Sequence, residues 1–383
     1  MLIVTCPVFR ERTPLSISVT QVTEEVRKEI SFPKVELHVH LDGAVRFKTL
    51  LELSQNKNIP LGKNVEEVKK LLISHEPANL SKVLAAFDIY MPVLAGDKDA
   101  IERIAYEMCE DQAKNGVVYF EARYSPHLLC NTVNNSVATI HGHVYDAKGP
   151  LPPKAVVEAV KRGFDRGEKE FNVRARSILC CICGFTDWNK EVLQLAKEMK
   201  GYGVVAIDIA GWSNGADEQY GDDVLDVFQH AEKFGIHRTV HAGEAGEAKE
   251  VIRAVDLMKA ERIGHGYRLL KNPDAYDKYA KKGRIHFEVC PYSSIMTGSV
   301  PVDWPKHPLK QMADDDVNYS INTDDPTCFD NGIMTEYQLA YKEIGLTKMQ
   351  LWKASWNAAN SSFAEPELKA EILRLIEKAK PTA

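Results

Sequence analysis

The 383-residue sequence predicts an α/β chain folded as a (β/α)8 barrel, from three observations. Eight short apolar, β-branched runs recur along it, helical stretches separate them, and polar residues gather at the C-terminal ends of the runs. The runs are VELHVH (35–40), VVYFEARYS (117–125), RSILCCIC (176–183), VVAIDIAG (204–211), HRTVHAGE (237–244), ERIGHGY (261–267), RIHFEVCPYSS (284–294) and VNYSINTDD (317–325). Their near-continuous apolar character marks strands covered on both faces, as in a parallel sheet. Between them, ADEQYGDDVLDVFQHAEKFG and EAKEVIRAVDLM carry helical apolar spacing and end near Gly or a charged turn. In the second half, strand and helix alternate at roughly 22 to 35 residues, the cadence of a barrel.

The polar residues fall on one rim. His38 and His40 end the first run, Arg123 lies on the second, Gly211 ends the fourth, His241 and Glu244 the fifth, His265 the sixth, and Asp324 and Asp325 the eighth. Barrels place their chemistry on this face, because strand ends are rigid while the loops after them vary. Residues 43–116, between the first two strands, are more than one return helix needs, so extra helices are expected there. Leu80, Val83, Leu84, Phe87 and Met91 share one apolar helix face. That face either packs on the core or forms a lid over the pocket mouth. Residues 1–24 read as a flexible extension and 25–383 as a single barrel domain.

Composition narrows the function. Hydrophobic residues at 44% and charged residues at 27% are ordinary for a globular protein, and the net charge of -6 disfavours nonspecific nucleic-acid binding. No apolar run approaches the roughly 20 residues needed to cross a bilayer, and the N-terminal apolar stretch is too short for a secretory signal. Eight cysteines lie mostly in apolar segments, which favours buried free thiols and a reducing, cytoplasmic setting. The sequon Asn134-Asn135-Ser136 is then a chance match.

The chemistry lies in HVHLDG, HAGE, GHG and NTDD. Alternate strand residues share a face, so His38 and His40 point the same way, about 6.5 to 7 Å apart along the strand. With His241 and Asp324 they offer three imidazoles and one carboxylate, the donor set of a catalytic zinc site with a position left for water. Two-metal barrel hydrolases add a modified lysine at the end of strand four, but VVAIDIAGW has none, so one Zn2+ per chain is expected. Zinc would make a water nucleophilic at neutral pH. Glu244, three residues past His241, is a candidate proton donor. His265 is either a fourth imidazole ligand or a base beside the water, and Asp324 completing the ligand set favours the base. Asp325 must point away from its neighbour, toward a substrate ring nitrogen. Cys180 and Cys183 would aim at opposite faces of one strand, which argues against a second zinc site.

At these residues the chain resembles the adenosine deaminase family. PKVELHVHLDGA, FDIYMPVLAG, EARYSPH, SILCC, HAGE, GHGY, HFEVCPYSS and NTDDP appear in family order over about residues 32 to 363. The resemblance implies hydrolytic deamination of adenosine and 2′-deoxyadenosine, a purine nucleoside being the small-molecule partner. It gives His38, His40, His241 and Asp324 as zinc ligands, Glu244 as the acid for purine N1, and His265 as the group that orients and deprotonates water. It also implies that Asp325 contacts N7, the Gly211 amide N3 and Asp42 the ribose 5′-hydroxyl. His40 also borders the substrate, and Leu80, Val83, Leu84 and Phe87 form an apolar flap. The chain departs from the family at AGWSNGADEQYG, where an acidic pair usually follows AG, and at Tyr292, where tryptophan is common. A second deaminase class, with His-x-Glu before Pro-Cys-x-x-Cys, is excluded by order, since His230-Ala231-Glu232 follows the CxxC.

Overall fold

The computed structural model describes residues 21–132, 149–211 and 218–382. The first twenty residues of the expected extension, the Asn134 sequon and Trp212 lie outside the described residues. All eight candidate runs form strands: β1 (Lys34–His40), β2 (Val117–Tyr124), β3 (Arg174–Ile182), β4 (Val204–Ala210), β5 (His237–Ala242), β6 (Arg262–His265), β7 (His286–Val289) and β8 (Tyr319–Ile321). They pair in parallel in sequence order. The seam closes through Asp324, which bridges to Val39 in parallel. The His40 N–H donates to the Asp324 carbonyl at 2.9 Å, and the Asp324 N–H to the His38 carbonyl at 3.1 Å. The predicted (β/α)8 barrel is therefore the fold.

β1 does not pair evenly with β2. Glu36 faces Phe120 but Val39 already faces Ala122, so the register slips around Leu37 and His38. A bulge leaves backbone groups unpaired, and side chains capture both of those on Leu37. Asn322 accepts its N–H at 2.9 Å, and Arg123 donates to its carbonyl at 2.7 Å.

Helix α1 (Glu24–Glu29) begins at Thr23, whose hydroxyl accepts the Val26 N–H. The stretch 43–116 holds α2 (Phe47–Lys57), α3 (Val65–Leu72), α4 (Leu80–Leu94) and α5 (Lys98–Lys114), the extra helices expected there. Arg46 joins α2 to α5 by donating to Asp111 and Glu110 at 2.7 Å each. Segment 74–78 then crosses the C-terminal rim: Ser74 N–H donates to the Cys328 carbonyl and Ala78 N–H to the Met296 carbonyl, both at 2.9 Å. This carries α4 to the mouth of the barrel. No helix among the described residues is long and apolar enough to cross a membrane. The seven described cysteines are buried and form no disulfide with one another, Cys180 and Cys183 among them.

The barrel interior is ionic as well as apolar. Fully buried Arg123 donates to Asp208 at 2.7 Å and to Glu288 at 2.6 Å. Below it, Arg262 pairs with Glu288 at 2.7 Å and Glu121 at 2.6 Å, and its guanidinium lies 3.8 Å from the Phe363 ring centroid. Burying these charges is tolerable only because each is paired and hydrogen bonded. Replacing Arg123 by Ala leaves two carboxylates buried beside an empty space. A loss of about 3–5 kcal/mol in urea denaturation is expected; a loss within error of zero would mean that the network is not a structural element.

Candidate active site

Four side chains from two strands and the seam converge at the C-terminal rim. One donor atom from each of His38, His40, His241 and Asp324 lies within 4.8 Å of all the others, a spacing that one metal ion could span. His38 and His40 Nε2 stand 3.3 and 3.4 Å from Asp324 Oδ1. The two rings are 5.6 Å apart between centroids, and His38 is 4.6 Å from His241. The buried Nε2 of His38 has no hydrogen-bond partner, an arrangement costly in a protein interior unless a cation fills it. Three nitrogens and one carboxylate oxygen therefore fit a metal by geometry and by donor type.

The imidazoles are held from behind. His38 donates through Nδ1 to Glu288 at 2.8 Å, and His241 through Nδ1 to Asp208 at 3.0 Å, which turns each Nε2 toward the cluster. Burial pushes the Asp208 carboxyl up, but His241 and Arg123 outweigh it and hold it at about 2. Glu288 is likewise raised by burial and drawn well below the carboxylate range by Arg123 and Arg262. Both remain anions, and the site inherits its orientation from them. Asp324 is fixed by Ser293, whose hydroxyl donates to Oδ2 at 2.6 Å, and by Glu36, which accepts from the N–H and hydroxyl of the adjacent Thr323 at 2.8 and 2.6 Å. His265 and Asp324 both adopt left-handed backbone, with φ of 65° and 69°. Strain of this kind persists only where surrounding contacts over-determine it.

Beside the cluster, His265 Nε2 lies 3.5 Å from Glu244 Oε2 and 3.9 Å from Asp324 Oδ2. Burial lowers His265 well below its usual value, so its ring is neutral, and neither nitrogen has a hydrogen-bond partner. Burial, with Asp324 and Glu218 nearby, pushes Glu244 up to about 8. Its Oε1 is buried without a partner. Burial also raises Asp325, aided by Asp324 and Asp42, and brings Asp42 to about 7. Gly43 is required beside Asp325, because a Cβ there would stand 1.9 Å from its Oδ1. Gly211, directly after β4, takes left-handed backbone with φ of 80° and is exposed.

Leu80, Val83, Leu84 and Phe87 all lie on α4. Val83 is buried, whereas Leu80, Leu84 and Phe87 remain half-buried, and Tyr90 of the same helix donates to the Asp42 carbonyl at 2.7 Å. The helix is thus packed along one edge, tied to the rim and left partly open along an apolar edge. The core reading of this face holds for Val83.

Asp208, Glu288, Ser293 and Glu218 escape the motif reading. The first two had a signal, an isolated carboxylate inside an otherwise apolar strand run (VVAIDIAG, HFEVC), since such a residue must find a buried partner. Glu218 sits in the sequence stretch that departs from the family pattern, and its contacts depend on tertiary structure.

Residues 33–379 match the family model described as adenosine deaminase. Adenosine deaminase of Gallus gallus is 44% identical over 91% of this chain and 95% of its own length; that of Bos taurus is 43% identical over 91% and 94%. The Clostridium perfringens adenosine deaminase is 32% identical over 90% of this chain and 97% of its own. Among solved structures, Arabidopsis ADAL in complex with IMP is similar with a TM-score of 0.77, 28% identity and coverage of 93% and 99% of the two chains. A zinc-bound amidohydrolase from Burkholderia ambifaria has a TM-score of 0.75, 25% identity and coverage of 95% and 97%. The match spans the barrel and every residue of the rim cluster, and the chain belongs to the adenosine deaminase family.

Proposed function

We propose that this single-domain barrel is a cytoplasmic adenosine deaminase that converts adenosine and 2′-deoxyadenosine to their inosine forms with release of ammonia. One Zn2+ per chain would be held by His38, His40, His241 and Asp324. The observation that carries this reading is the buried Glu244, set up to keep its proton, next to a three-imidazole, one-carboxylate cluster. The zinc-bound amidohydrolase supports the choice of metal. When bound, zinc supplies Lewis acidity that brings the pKa of a water from about 15.7 to about 7.

The remaining steps fall to the chain's own side chains. Glu244 hands its proton to purine N1, which withdraws electrons from C6 and opens that carbon to attack. His265, held neutral by burial, accepts the proton of the attacking water. Asp325, kept protonated by its acidic neighbours, donates to N7. The Gly211 N–H donates to N3, and Asp42 accepts from the ribose 5′-hydroxyl. His40, with a side chain 13% exposed, is the ligand nearest the substrate. Leu80, Val83, Leu84 and Phe87 cover the base and exclude water, which strengthens every polar contact beneath them. A carboxylate at Asp42 would repel a 5′-phosphate, so the nucleoside is favoured over a nucleotide.

Replacing Glu244 by Gln should lower kcat about 10² to 10⁴-fold, followed by the fall in ultraviolet absorbance of adenosine. Near-normal turnover would remove Glu244 from the mechanism. Exhaustive chelation should abolish turnover, with full recovery at one equivalent of zinc per chain; a requirement for two equivalents would contradict the single site. Asp208→Asn should weaken zinc binding about 10 to 100-fold in chelator competition. Unchanged affinity would show that His241 does not depend on Asp208.

A further inference from the structure

Glu218 belongs to the stretch that follows β4, yet its carboxylate is spent on the end of β5. It is 8% exposed and takes left-handed backbone with φ of 57°, unusual for a residue with a side chain. Its Oε1 accepts the N–H of Glu244 at 3.0 Å and of Ala245 at 2.9 Å, and its Oε2 accepts the N–H of Gly243. Three consecutive amides thus converge on one anion, the geometry of a backbone nest. Two residues on, the Tyr220 hydroxyl donates to the His241 carbonyl at 2.6 Å. Glu218 and Tyr220 therefore grip HAGE along its length.

The opposite side of HAGE is also fixed. The Gly266 N–H donates to the Ala242 carbonyl at 3.0 Å and the Arg268 N–H to the Gly243 carbonyl at 2.9 Å. A Cβ on Gly243 would meet Val251 at 2.6 Å, so the backbone packs closely there and the turn requires glycine. With the β6 side rigid, the Glu218 carboxylate is the element that sets where the Glu244 backbone leaves the strand. A hydrogen bond to an ionised carboxylate is roughly twice as strong as one between neutral groups, and here several share one acceptor.

We propose that Glu218 is the positioning residue for the general acid Glu244, holding it through the amides of Gly243, Glu244 and Ala245. This rests on the role given to Glu244 above. Glu218 touches no reacting atom; it acts by fixing the backbone from which the acid projects. A misplacement of about 1 Å at a reacting group costs on the order of 10²-fold in rate.

The test compares zinc-loaded wild-type protein, Glu244→Gln, Glu218→Ala and Glu218→Gln, with adenosine as substrate and amide hydrogen exchange across residues 241–247. Glu218→Ala is expected to lose about 100-fold in kcat with KM within about threefold, and to exchange amides 243–245 faster while keeping one zinc per chain. Glu218→Gln retains one acceptor oxygen and should recover part of the rate; it decides the matter if the Ala variant does not fold. The positioning role is overturned if both folded variants keep kcat within about twofold, or if the loss appears in KM or zinc content alone. Unchanged exchange at 243–245 overturns it whatever the activity. Wild-type protein without adenosine turnover defeats the functional reading itself, while active wild type and inactive Glu244→Gln beside a normal Glu218→Ala defeats only this one.

Discussion

A single guanidinium ties the site to the fold. Arg123 lies fully buried between Asp208 and Glu288, and each of those carboxylates holds the Nδ1 of one histidine of the rim cluster. Without the arginine, two buried anions would stand with only the imidazoles and Arg262 to balance them, and taking up protons would be their cheaper state. Paired with it they stay ionised, and ionised they fix the orientation of His38 and His241. The same contacts that let charge exist inside the barrel therefore aim the nitrogens outward to the rim.

Barrel closure adds the carboxylate. Asp324 follows β8, joins it to β1 through backbone bonds on either side of Val39, and offers its side chain to the histidines of β1. Its left-handed backbone is the geometric consequence of serving both purposes. Ser293, just after β7, and the contact of Thr323 with Glu36 of β1 hold it there. Closure of the fold and completion of the cluster are one event, so the cluster cannot assemble in a partly closed sheet. Glu218 accepts the backbone N–H groups of Gly243, Glu244 and Ala245 in a matching way.

Much of this was legible before the structure. The eight strands show because a parallel sheet buried on both faces demands apolar runs, and every run became a strand. The rim residues show because barrel chemistry collects at strand ends, and His38, His40, His241 and Asp324 do meet there. Three things were hidden, each for a physical reason. The slip at Leu37 and His38 depends on pairing with β2, which no local pattern encodes. Asp208 and Glu288 read as single charges in apolar runs until Arg123 is seen between them. Glu218 lies in a stretch without periodicity, and its three amide contacts come from residues about 25 positions away. The apolar face of α4 was ambiguous in sequence because packing and lid formation use the same spacing.

Anomalous scattering at the zinc absorption edge, recorded from crystals of the full chain, addresses the metal centre most directly. One peak is expected within about 2.0–2.2 Å of nitrogen atoms of His38, His40 and His241 and a carboxylate oxygen of Asp324. Two peaks at the rim, or a single peak bonded to His265 with Asp324 turned away, would contradict a lone metal held by three imidazoles and the seam aspartate.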